Sequence, residues 1–547
     1  MICLGIEGTA EKCGIGIVNS NGDILATCGS QLYPEVGGIH PREAAVFHAE
    51  HIVPLINDAL DEASLSLNDL DLISFSKGPG LGPCLRTVAT AGRTLSQRLN
   101  IPLIGVNHCI GHIEIGKLTT NAIDPLTVYA SGGNTQIISF ESGRYRILGE
   151  TLDIAVGNCL DQFSRSVGLG HPGGPVVEKL ASKTNEVIDL PYVVKGMDFS
   201  FSGILTSAIK LYKKGVDINI ICNSFQETCF SMLCEVTERA LSHSNKDEVL
   251  LCGGVAANSR LREMLKIMCE EHFSTFYMPE MKYCGDNGSM IAWLGLLSYN
   301  YNGNKGINIE DSVIDQRFRT NQVDAGWNLN NNKGIKLPNN LYDKGAEADV
   351  FKCIWDKDEA ICKIRPCKSY RSNNIDKSLR LYRLREEVRL LNDCKNFGVS
   401  TPSIFNIDIN NMSIVMEYVK GVLLNDIIID ILNNKLNEDV LFDYCNIIGS
   451  NVSLMHDNGI IHGDLTSKNI FINDNKAIFI DFGLGKYSDV IEDKGTDVLV
   501  FKKSLESIIP KFSEDCFNSF INGYKSVKDF DLIYNKIDEI ISRGRYL

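Results

Sequence analysis

The sequence predicts a mainly α/β chain in two parts, in which a duplicated two-lobe α/β domain is followed by a smaller α+β domain. Three observations predict it. The chain has 547 residues, too many for one hydrophobic core. Two similar hairpin patterns occur in its first part, and an Asn-rich segment at 328–340 holds few residues able to build a core. We therefore expect domains at 1–325 and 341–547, joined by a linker at 326–340.

The duplication is visible in two hairpins of alternating apolar residues. The stretch 2–28 turns at an Asn-Gly pair, which is typical of a type I′ turn, and the stretch 126–148 turns at a Ser-Gly pair. Each hairpin starts with an apolar strand that runs into a turn of small residues, and helical patterns follow at 43–60 and 224–241. The repeat predicts two lobes facing a cleft, where each turn offers backbone N–H groups to phosphate.

Composition excludes several classes of protein. Hydrophobic residues make up 44% of the chain and charged residues 22%, as in ordinary globular proteins. No apolar run reaches the ~18 residues of a membrane span, and the N-terminus lacks the basic region of a signal peptide. The 18 cysteines are scattered without a C-x-x-C pair, which favours a reducing compartment. We expect a cytoplasmic protein without membrane contact, whose net charge of −14 restricts nucleic-acid binding to local basic surface.

Two histidines four residues apart, His108 and His112, project from one face of a predicted helix and could bind one ion. Such a pair alone is more often two core histidines. Asp286, in a glycine-flanked loop, and Tyr129, at the end of an apolar strand, could complete a ligand set. A zinc protease would require a glutamate base directly after the first histidine. Because that position is Cys109, peptide hydrolysis is disfavoured.

A series of motifs in collinear order resembles a single family. The motifs are PREAAVFHAEH (41–51), KGPGLGPCLR (77–86), NHCIGH (107–112), SGGNTQ (131–136), HPGGPVVE (171–178), FSFSG (199–203), GGVAANSRLR (253–262) and CGDNGSMIA (284–292). Together they resemble the universal tRNA threonylcarbamoyladenosine transferases, the catalytic subunit of the KEOPS assembly in archaea and eukaryotes. The resemblance covers about residues 1–325. It implies the fold of actin, sugar kinases and heat-shock ATPases (ASKHA), in agreement with the two expected lobes.

The resemblance implies transfer of a threonylcarbamoyl group from threonylcarbamoyl-AMP to N6 of the adenosine 3′-adjacent to the anticodon in tRNAs reading ANN codons. It also implies one divalent metal, with iron and zinc both open, whose ligands are His108, His112, Tyr129 and Asp286. The implied contacts of the adenylate are Tyr129, Ala130, Ser131, Gly132, Gly133, Asp161, Gly174, Glu178 and Asn258. Transfer from a mixed anhydride requires positioning and charge stabilisation rather than a covalent intermediate.

The general base of this reaction is not identified by the sequence. Glu7 and Lys12 lie in a turn where relatives in this superfold handle phosphate. An ordinary turn acid at the end of a strand is an equally good interpretation of Glu7.

The second part contains HGDLTSKN at 462–469, followed by DFG. In protein kinases this spacing sets a base, here Asp464, near the acceptor hydroxyl. It also lets Asn469 and Asp481 share magnesium. The sequence therefore predicts ATP binding with Mg²⁺.

Three further residues occur in kinase order. Lys363 on the third predicted strand would hold the ATP phosphates, and Glu387 would form an ion pair with it. Gly345 belongs to an incomplete glycine-rich loop. Gly463 replaces the usual arginine of H-R-D, and no A-P-E motif follows. ATP binding therefore follows more firmly than phosphorylation of a peptide.

The part from 341 to 547 resembles the small KEOPS kinase, an atypical Ser/Thr kinase related to the RIO kinases that acts mainly as an ATPase supporting tRNA modification. The chain is thus similar to a natural fusion of two KEOPS subunits. The implied partners are tRNA, a small dimerising subunit at the transferase domain, a kinase-binding subunit, and a separate enzyme that makes threonylcarbamoyl-AMP. The alternative is a signalling Ser/Thr protein kinase with a regulatory nucleotide-binding N-terminal domain.

Basic residues cluster in the second part, and we expect them to contact tRNA phosphates rather than form only a solvated helix face. They are Lys368, Arg371, Lys377, Arg380, Arg383, Arg385 and Arg389, with Arg543 and Arg545 near the C-terminus.

Overall fold

The structure is a computed structural model that describes most of the chain. The described residues are 1–33, 39–141, 143–244, 246–328, 343–344, 347–356, 358–433 and 435–543. The expected turn residue Ser142, most of the linker, Gly345 and Arg545 lie outside them. The described residues form two compact units, one from within the ranges 1–190 and 201–335 and the other from within the ranges 191–200 and 336–546.

The first unit opens with a five-stranded sheet. Its strands are β1 (Ile2–Glu7), β2 (Lys12–Asn19), β3 (Ile24–Gln31), β4 (Leu72–Gly78) and β5 (Leu103–Asn107). The spatial order is β3-β2-β1-β4-β5, with an antiparallel meander of three strands followed by two parallel strands.

A second five-stranded sheet repeats this topology. Its strands are β6 (Leu126–Ala130), β7 (Thr135–Glu141), β8 (Arg144–Glu150), β11 (Glu248–Cys252) and β12 (Thr275–Tyr277). The order β8-β7-β6-β11-β12 again joins a three-stranded antiparallel meander to two parallel strands. The predicted duplication is therefore confirmed.

Ten α-helices accompany the two sheets within the described part of this unit. They are α1 (Pro41–Ala63), α2 (Gly82–Leu99), α3 (His108–Thr119), α4 (Val156–Ser166), α5 (Gly173–Ala181), α6 (Ser202–Lys213), α7 (Ile218–Ser244), α8 (Ser259–Glu271), α9 (Met281–Cys284) and α10 (Gly288–Tyr301). Short 3₁₀ turns occur at Leu67–Asp69, Gly254–Ala257, Thr320–Gln322 and Gly326–Asn328.

Helix α10 lies directly on the backbone of the first sheet. A Cβ added to Gly288 would be 2.1 Å from the amide nitrogen of Gly16, and one added to Gly5 would be 2.3 Å from that of Ala292. Only glycine permits so close an approach of helix to strand. This contact fixes the start of α10, and with it the loop that carries Asp286.

The second unit contains an antiparallel sheet and a helical lobe. Its strands are β9 (Val194–Lys195), β10 (Asp198–Phe199), β13 (Asp343–Lys344), β14 (Asp349–Trp355), β15 (Asp358–Ile364), β16 (Ile404–Asp408), β17 (Ser413–Glu417), β18 (Val422–Leu423), β19 (Ile460–Ile461), β20 (Ile470–Asn473), β21 (Lys476–Phe479) and β22 (Lys486–Tyr487). Its helices are α11 (Asn373–Asn396), α12 (Leu424–Leu432), α13 (Asp439–Asp457), α14 (Ile491–Ile508), α15 (Ser513–Tyr524) and α16 (Phe530–Arg543), with a 3₁₀ turn at Ser467–Asn469.

The order of elements in this unit is the one that the sequence predicts for a small kinase. The main sheet has the order β13-β14-β15-β17-β16, and α11 follows its third strand. Apolar residues of α12 to α16 form one continuous core in the helical lobe. No helix in the described residues is both long and apolar enough to cross a membrane.

The hairpin of β9 and β10 belongs to this second unit, which the sequence does not predict. Lys195 Nζ lies 2.7 Å from a carboxylate oxygen of Asp493. Lys503 Nζ lies 3.2 Å from a carboxylate oxygen of Asp198. These two ion pairs join 191–200 to the helical lobe.

Candidate metal centre and phosphoryl-transfer site

The two histidines of NHCIGH lie at the start of α3. Strand β5 ends at Asn107, whose side chain accepts a hydrogen bond from the backbone N–H of Ile110 at 3.1 Å and so caps the helix. The same side chain donates to the carbonyl of Phe318 at 2.8 Å. The cap makes His108 the first helical residue and places His112 one turn later, with both side chains buried.

Asp286 meets both histidines. Its Oδ1 lies 3.1 Å from Nε2 of His112 and 3.5 Å from Nε2 of His108. One ligand atom from each of the three residues lies within 4.8 Å of the other two. Asn287 caps α10 by accepting from the N–H of Met290 at 2.9 Å, which fixes the neighbouring aspartate. The structure therefore brings these predicted ligands to a single point.

Tyr129 lies next to this cluster, near the end of β6. Its side chain is buried, and its ring centroid is 5.2 Å from that of His112. Burial raises the pKa of Tyr129 well above its ordinary value, and the nearby Cys109 and Asp286 reinforce the shift. The side chain is thus a neutral phenol beside the histidines.

The cluster carries strongly perturbed charges. Burial alone would raise the pKa of Asp286, but His108, His112 and then Lys12 hold it well below its usual range. Burial lowers the pKa of His108, but the carboxylates of Glu7 and Asp286 outweigh it and raise the pKa to about 9. Burial lowers the pKa of His112. With this pKa, His108 carries a proton and a positive charge at neutral pH. The charge lies between the carboxylates of Glu7 and Asp286, where a metal cation would also be stabilised.

The residues present fit a divalent metal. Two imidazole nitrogens and one carboxylate oxygen point at a common position, and a phenol lies beside it. Nitrogen and oxygen donors of this kind are typical of iron and zinc sites.

The Ser-Gly-Gly turn follows Tyr129 and is open. The N–H of Ser131 donates to the carbonyl of Asn134 at 2.8 Å, and the N–H of Asn134 donates to Ser131 Oγ at 3.0 Å. A Cβ placed on Gly132 or Gly133 would meet nothing described within 4 Å. Ala130, the preceding residue, is buried. The turn is therefore rigid at its base and accessible at its glycines, as a phosphate-binding turn requires.

The residues expected near the nucleoside hold helix starts in this structure. Asp161 accepts a backbone N–H at the start of α5 at 2.6 Å, and Glu178 accepts one at the start of α8 at 2.8 Å. Asn258 caps α8 and donates to Gln226 at 3.0 Å. A Cβ added to Gly174 would meet only one described side chain, at 4.0 Å. Their contact with a nucleoside stays a prediction.

Glu7 belongs to the first site, although the sequence places it only in a turn. It is fully buried at the end of β1, and its Oε2 lies 3.1 Å from Nδ1 of His108. Its Oε1 accepts from the N–H of Thr9 at 2.9 Å and from its hydroxyl at 2.7 Å. The sequence indicates this position of Glu7 only indirectly. Strands β1 and β5 are both parallel to β4, which lies between them, so Glu7 and His108 follow strand ends at the same edge of the sheet.

In the second unit, Lys363 on β15 lies between two carboxylates. Its Nζ is 2.6 Å from Oε1 of Glu387 and 2.7 Å from Oδ1 of Asp481. Burial alone would lower the pKa of Lys363, but Asp481 and Glu387 raise it. The pKa of Asp481 is held at about 2, because Lys363 and Arg365 outweigh burial. Arg365, which the sequence analysis does not single out, donates to Glu387 at 2.6 Å.

The catalytic loop brings its predicted pair together. Asn469 Nδ2 donates to Oδ2 of Asp464 at 3.0 Å and to its backbone carbonyl at 2.8 Å. Asp481 has a left-handed backbone with φ of 59°, and its Oδ1 accepts from the N–H of Gly483 at 3.2 Å. The predicted glycine-loop residue Gly345 lies outside the described residues.

A buried carboxylate outside the predicted motifs holds this loop. Asp497 accepts from the backbone N–H groups of His462 at 2.8 Å and Gly463 at 2.9 Å. Gly463 has φ of 82°, and a Cβ there would lie 2.3 Å from the carbonyl oxygen of Leu484. These two facts explain why glycine stands where kinases usually carry arginine.

Part of the basic cluster is buried in ion pairs. Lys368, Arg371 and Arg383 are all buried. Arg383 donates to Glu347 at 2.8 Å, and Arg371 lies 3.8 Å from Asp376. All three side chains are buried, and Arg383 and Arg371 already lie beside Glu347 and Asp376, an arrangement that does not favour direct contact with phosphates. Their contact with tRNA stays a prediction.

The remaining basic residues divide into two groups. Lys377 and Arg385 are exposed, whereas Arg380 is partly buried and donates to Asp376 at 2.7 Å. Arg389 is exposed as well, and its guanidinium carbon lies 4.4 Å from the ring centroid of Tyr487. Phosphate contact stays a prediction for the three exposed residues.

Comparison with known proteins gives two domain matches. Residues 24–293 match the family model of tRNA N6-adenosine threonylcarbamoyltransferase, and residues 343–500 match that of the protein kinase domain.

Three relatives that match over their full length share the description "Probable bifunctional tRNA threonylcarbamoyladenosine biosynthesis protein". The chain is 65% identical to the relative in Methanosphaera stadtmanae, and the match covers 100% of both chains. It is 57% identical to the one in Methanobrevibacter smithii, over 100% of this chain and 99% of the relative. It is 54% identical to the one in Methanothermobacter thermautotrophicus, over 100% of both.

Proposed function

The chain belongs to the family of bifunctional tRNA threonylcarbamoyladenosine biosynthesis proteins, and from that premise we propose how its two sites divide the work. It carries a threonylcarbamoyltransferase domain and a protein kinase domain. We propose that the first transfers the threonylcarbamoyl group from threonylcarbamoyl-AMP to N6 of the adenosine 3′-adjacent to the anticodon in tRNAs reading ANN codons. The observation that supports this most is the convergence of His108, His112 and Asp286 in the same domain as an open Ser-Gly-Gly turn.

We propose that His108, His112, Tyr129 and Asp286 hold one divalent metal, iron or zinc. A bound metal would supply Lewis-acid polarisation and would orient the carbamoyl-threonine end of the donor. The N–H groups of Gly132 and Gly133 would stabilise the negative charge on the departing phosphate. Asp161, Gly174, Glu178 and Asn258 would line the nucleoside.

A covalent route through the neighbouring thiol is disfavoured. Burial raises the pKa of Cys109 to about 12, so the side chain is a thiol at neutral pH rather than a nucleophilic thiolate. Direct attack of the adenosine amine on the carbonyl of the mixed anhydride requires no such nucleophile. Positioning of the two substrates is then the main contribution of the protein.

We propose that the kinase domain binds ATP with Mg²⁺ and hydrolyses it in support of the transferase. Lys363 would contact the phosphates, Glu387 would keep it in place, and Asn469 and Asp481 would share the metal. In the present structure Lys363 pairs with Asp481 at 2.7 Å. Binding of Mg-ATP would break this ion pair, and Lys363 and Asp481 would then each contact the ligand. Asp464 would orient the attacking group.

tRNA is the substrate that this function implies. We further propose that the chain works with a small dimerising subunit at the transferase domain, with a kinase-binding subunit of KEOPS, and with a separate enzyme that supplies threonylcarbamoyl-AMP.

The direct test supplies the full-length protein with threonylcarbamoyl-AMP and unmodified tRNA and measures modified nucleosides after digestion. We expect threonylcarbamoyladenosine in tRNAs reading ANN codons. The Asp286→Asn variant serves as the inactive control. A silent transferase together with robust phosphorylation of added proteins would instead favour the signalling kinase.

A further inference from the structure

The two carboxylate oxygens of Glu7 have different surroundings: one accepts hydrogen bonds from the following turn, and the other faces a histidine. Oε1 accepts two hydrogen bonds from Thr9, at 2.9 and 2.7 Å. Oε2 makes no hydrogen bond of regular geometry to the described residues, although the side chain is fully buried. It lies 3.1 Å from Nδ1 of His108. A buried carboxylate oxygen with spare acceptor capacity is therefore aimed at one ring nitrogen.

The opposite nitrogen of the same ring faces the metal position. Nε2 of His108 is 3.5 Å from Oδ1 of Asp286, the atom that also lies 3.1 Å from Nε2 of His112. A neutral imidazole carries its proton on one nitrogen and its lone pair on the other. A proton held on Nδ1 by Glu7 leaves the lone pair of Nε2 directed at the ion.

We propose that Glu7 is a positioning residue for the metal centre, which orients His108 through Nδ1 and fixes the tautomer that binds the ion through Nε2. This inference rests on the proposed function of that centre. Carboxylates that accept from a ligating histidine typically change metal affinity by about 10–100-fold when they are removed. The negative charge of Glu7 also favours a cation at the site.

The geometry separates this role from direct ligation. The three residues whose ligand atoms lie within 4.8 Å of one another are His108, His112 and Asp286, and Glu7 is not one of them. Its Oε2 approaches the nitrogen of His108 that points away from Asp286.

The second histidine provides an internal contrast. Nδ1 of His112 is buried and makes no hydrogen bond to the described residues. Of the two rings, His108 is the one that has a described carboxylate behind it. The two imidazoles are therefore supported differently, and a change at Glu7 should act through one of them.

The backbone around Glu7 is held in place by its neighbours in the first sheet. Glu7 is the last residue of β1, and the N–H of the following Gly8 donates to Ser76 Oγ at 3.2 Å. A Cβ on Gly8 would lie 2.6 Å from a side-chain carbon of Val88, so the backbone has no room to shift. Thr9 Oγ1 lies 3.4 Å from Nδ1 of His108 and adds a second contact to the same ring.

The test compares metal affinities of full-length variants. Metal-free protein is titrated with Zn²⁺ against a chelator of known affinity, and with Co²⁺ for its absorption spectrum. We expect Glu7→Gln to lower Zn²⁺ affinity by about 10-fold, because its amide oxygen still accepts from Nδ1 but carries no charge. Glu7→Ala should lower it by up to about 100-fold. Thr9→Val should have a smaller effect than either.

A matched control comes from the same helix as the histidines. Glu114 on α3 is also buried, and it accepts from Tyr145 at 2.6 Å and Trp327 at 2.9 Å, within the same unit. Glu114→Gln removes a buried charge from the same helix and leaves the contacts of His108 unchanged. We expect its Zn²⁺ affinity to equal that of the wild-type protein.

The outcomes separate the positioning role from its rivals. Unchanged affinity in both Glu7 variants would overturn the proposal. A lower coordination number of Co²⁺ in the absorption spectrum of Glu7→Ala would also overturn it, because Glu7 would then be a ligand itself. If Glu7→Ala does not fold, Glu7→Gln and Thr9→Val still carry the test. A wild-type protein that binds neither ion would refute the proposed metal centre as a whole, a result distinct from unchanged variants of a protein that binds.

Discussion

The two candidate sites of this chain differ in how their charges are balanced. In the first unit, Asp286 and the buried Glu7 face two imidazoles, one of which has its pKa raised to about 9. In the second unit, Lys363 already lies within 2.7 Å of two carboxylates, and Arg365 donates to one of them. The first site thus requires a proton or a metal to balance its acids, whereas the second is balanced by its own side chains.

Because of this difference in charge balance, we expect the two sites to respond differently when a ligand binds. A metal at the first site, held by His108, His112 and Asp286, would take the place of a proton and would be bonded to these side chains. A nucleotide at the second site must displace an existing ion pair between Lys363 and Asp481. The first site is therefore completed by its ligand, and the second is rearranged by it.

The largest expected effect breaks the first site. Asp286→Asn replaces the carboxylate that both histidines face with a neutral amide, which is a much weaker metal ligand, so we expect metal affinity to fall by more than about 100-fold, beyond the range for residues that contact only a ligand. Transferase activity should be lost with it. Metal content after dialysis and nucleoside analysis of tRNA measure the two effects.

Wild-type protein treated with a strong chelator should behave as that variant does, and added metal should restore only the wild-type protein. ATP hydrolysis by the second unit serves as the control, because the variant leaves Lys363 and Asp481 unchanged. Full transferase activity in the metal-free protein would contradict the comparison.

The second prediction concerns the ion pairs around Lys363 in the second unit. Lys363→Met leaves Glu387, which is fully buried, with Arg365 as its remaining partner. Removal of one partner from a buried pair costs about 3–5 kcal/mol, and we expect the lower end because Arg365 stays in place. ATP hydrolysis should be abolished. Denaturant unfolding, followed by probes in each unit, measures the free energy of unfolding of the second unit.

The double variant Lys363→Met with Glu387→Leu sharpens this result. It removes the charges of Lys363 and Glu387 together, while Arg365 keeps Glu347 as a partner at 3.1 Å, so we expect part of the stability to return while ATP hydrolysis stays absent. If Lys363→Met alone were as stable as the wild-type protein, the ion pair would contribute nothing measurable.

A backbone effect comes third. Gly463→Ala places a Cβ 2.3 Å from the carbonyl of Leu484 at a residue with φ of 82°, so we expect a loss of about 1–3 kcal/mol and lower ATPase activity. Gly398→Ala is the matched control, since its φ is 91° but no described atom lies within 4 Å of the added Cβ. Equal losses in the two variants, measured by denaturant unfolding, would show that the close contact plays no part.

Local patterns predicted the parts of both sites that lie close in sequence. Helical periodicity places His108 and His112 on one face, and a short loop holds Asp464 and Asn469 together. Asp286 was only one possible ligand by its loop, and the resemblance to a family assigned it to the histidines, because no local pattern links residues 174 positions apart. The same limit explains why Asp497 was missed.

Charge in the sequence was a poorer guide than apolar pattern. The basic cluster predicted phosphate contacts, yet Arg383 meets Glu347 at 2.8 Å and is buried. Composition shows how many charges a segment carries, but the fold decides which acids they meet. The assignment of 191–200 to the second unit has the same origin, because its ion pairs join residues 298 and 305 positions apart.

The weakest effect that we expect concerns the cap at the start of α3, the helix that carries His108 and His112. Asn107→Ala removes the acceptor for the N–H of Ile110 and the donor to Phe318, so we expect the unfolding free energy to fall by about 1 kcal/mol. Asn107→Asp keeps the capping acceptor but loses the donor, and it separates the two contacts. Because His108 follows directly, Zn²⁺ affinity should fall less than in Glu7→Gln, and a larger fall would mean that the cap, rather than the carboxylate behind the ring, sets the position of the imidazole.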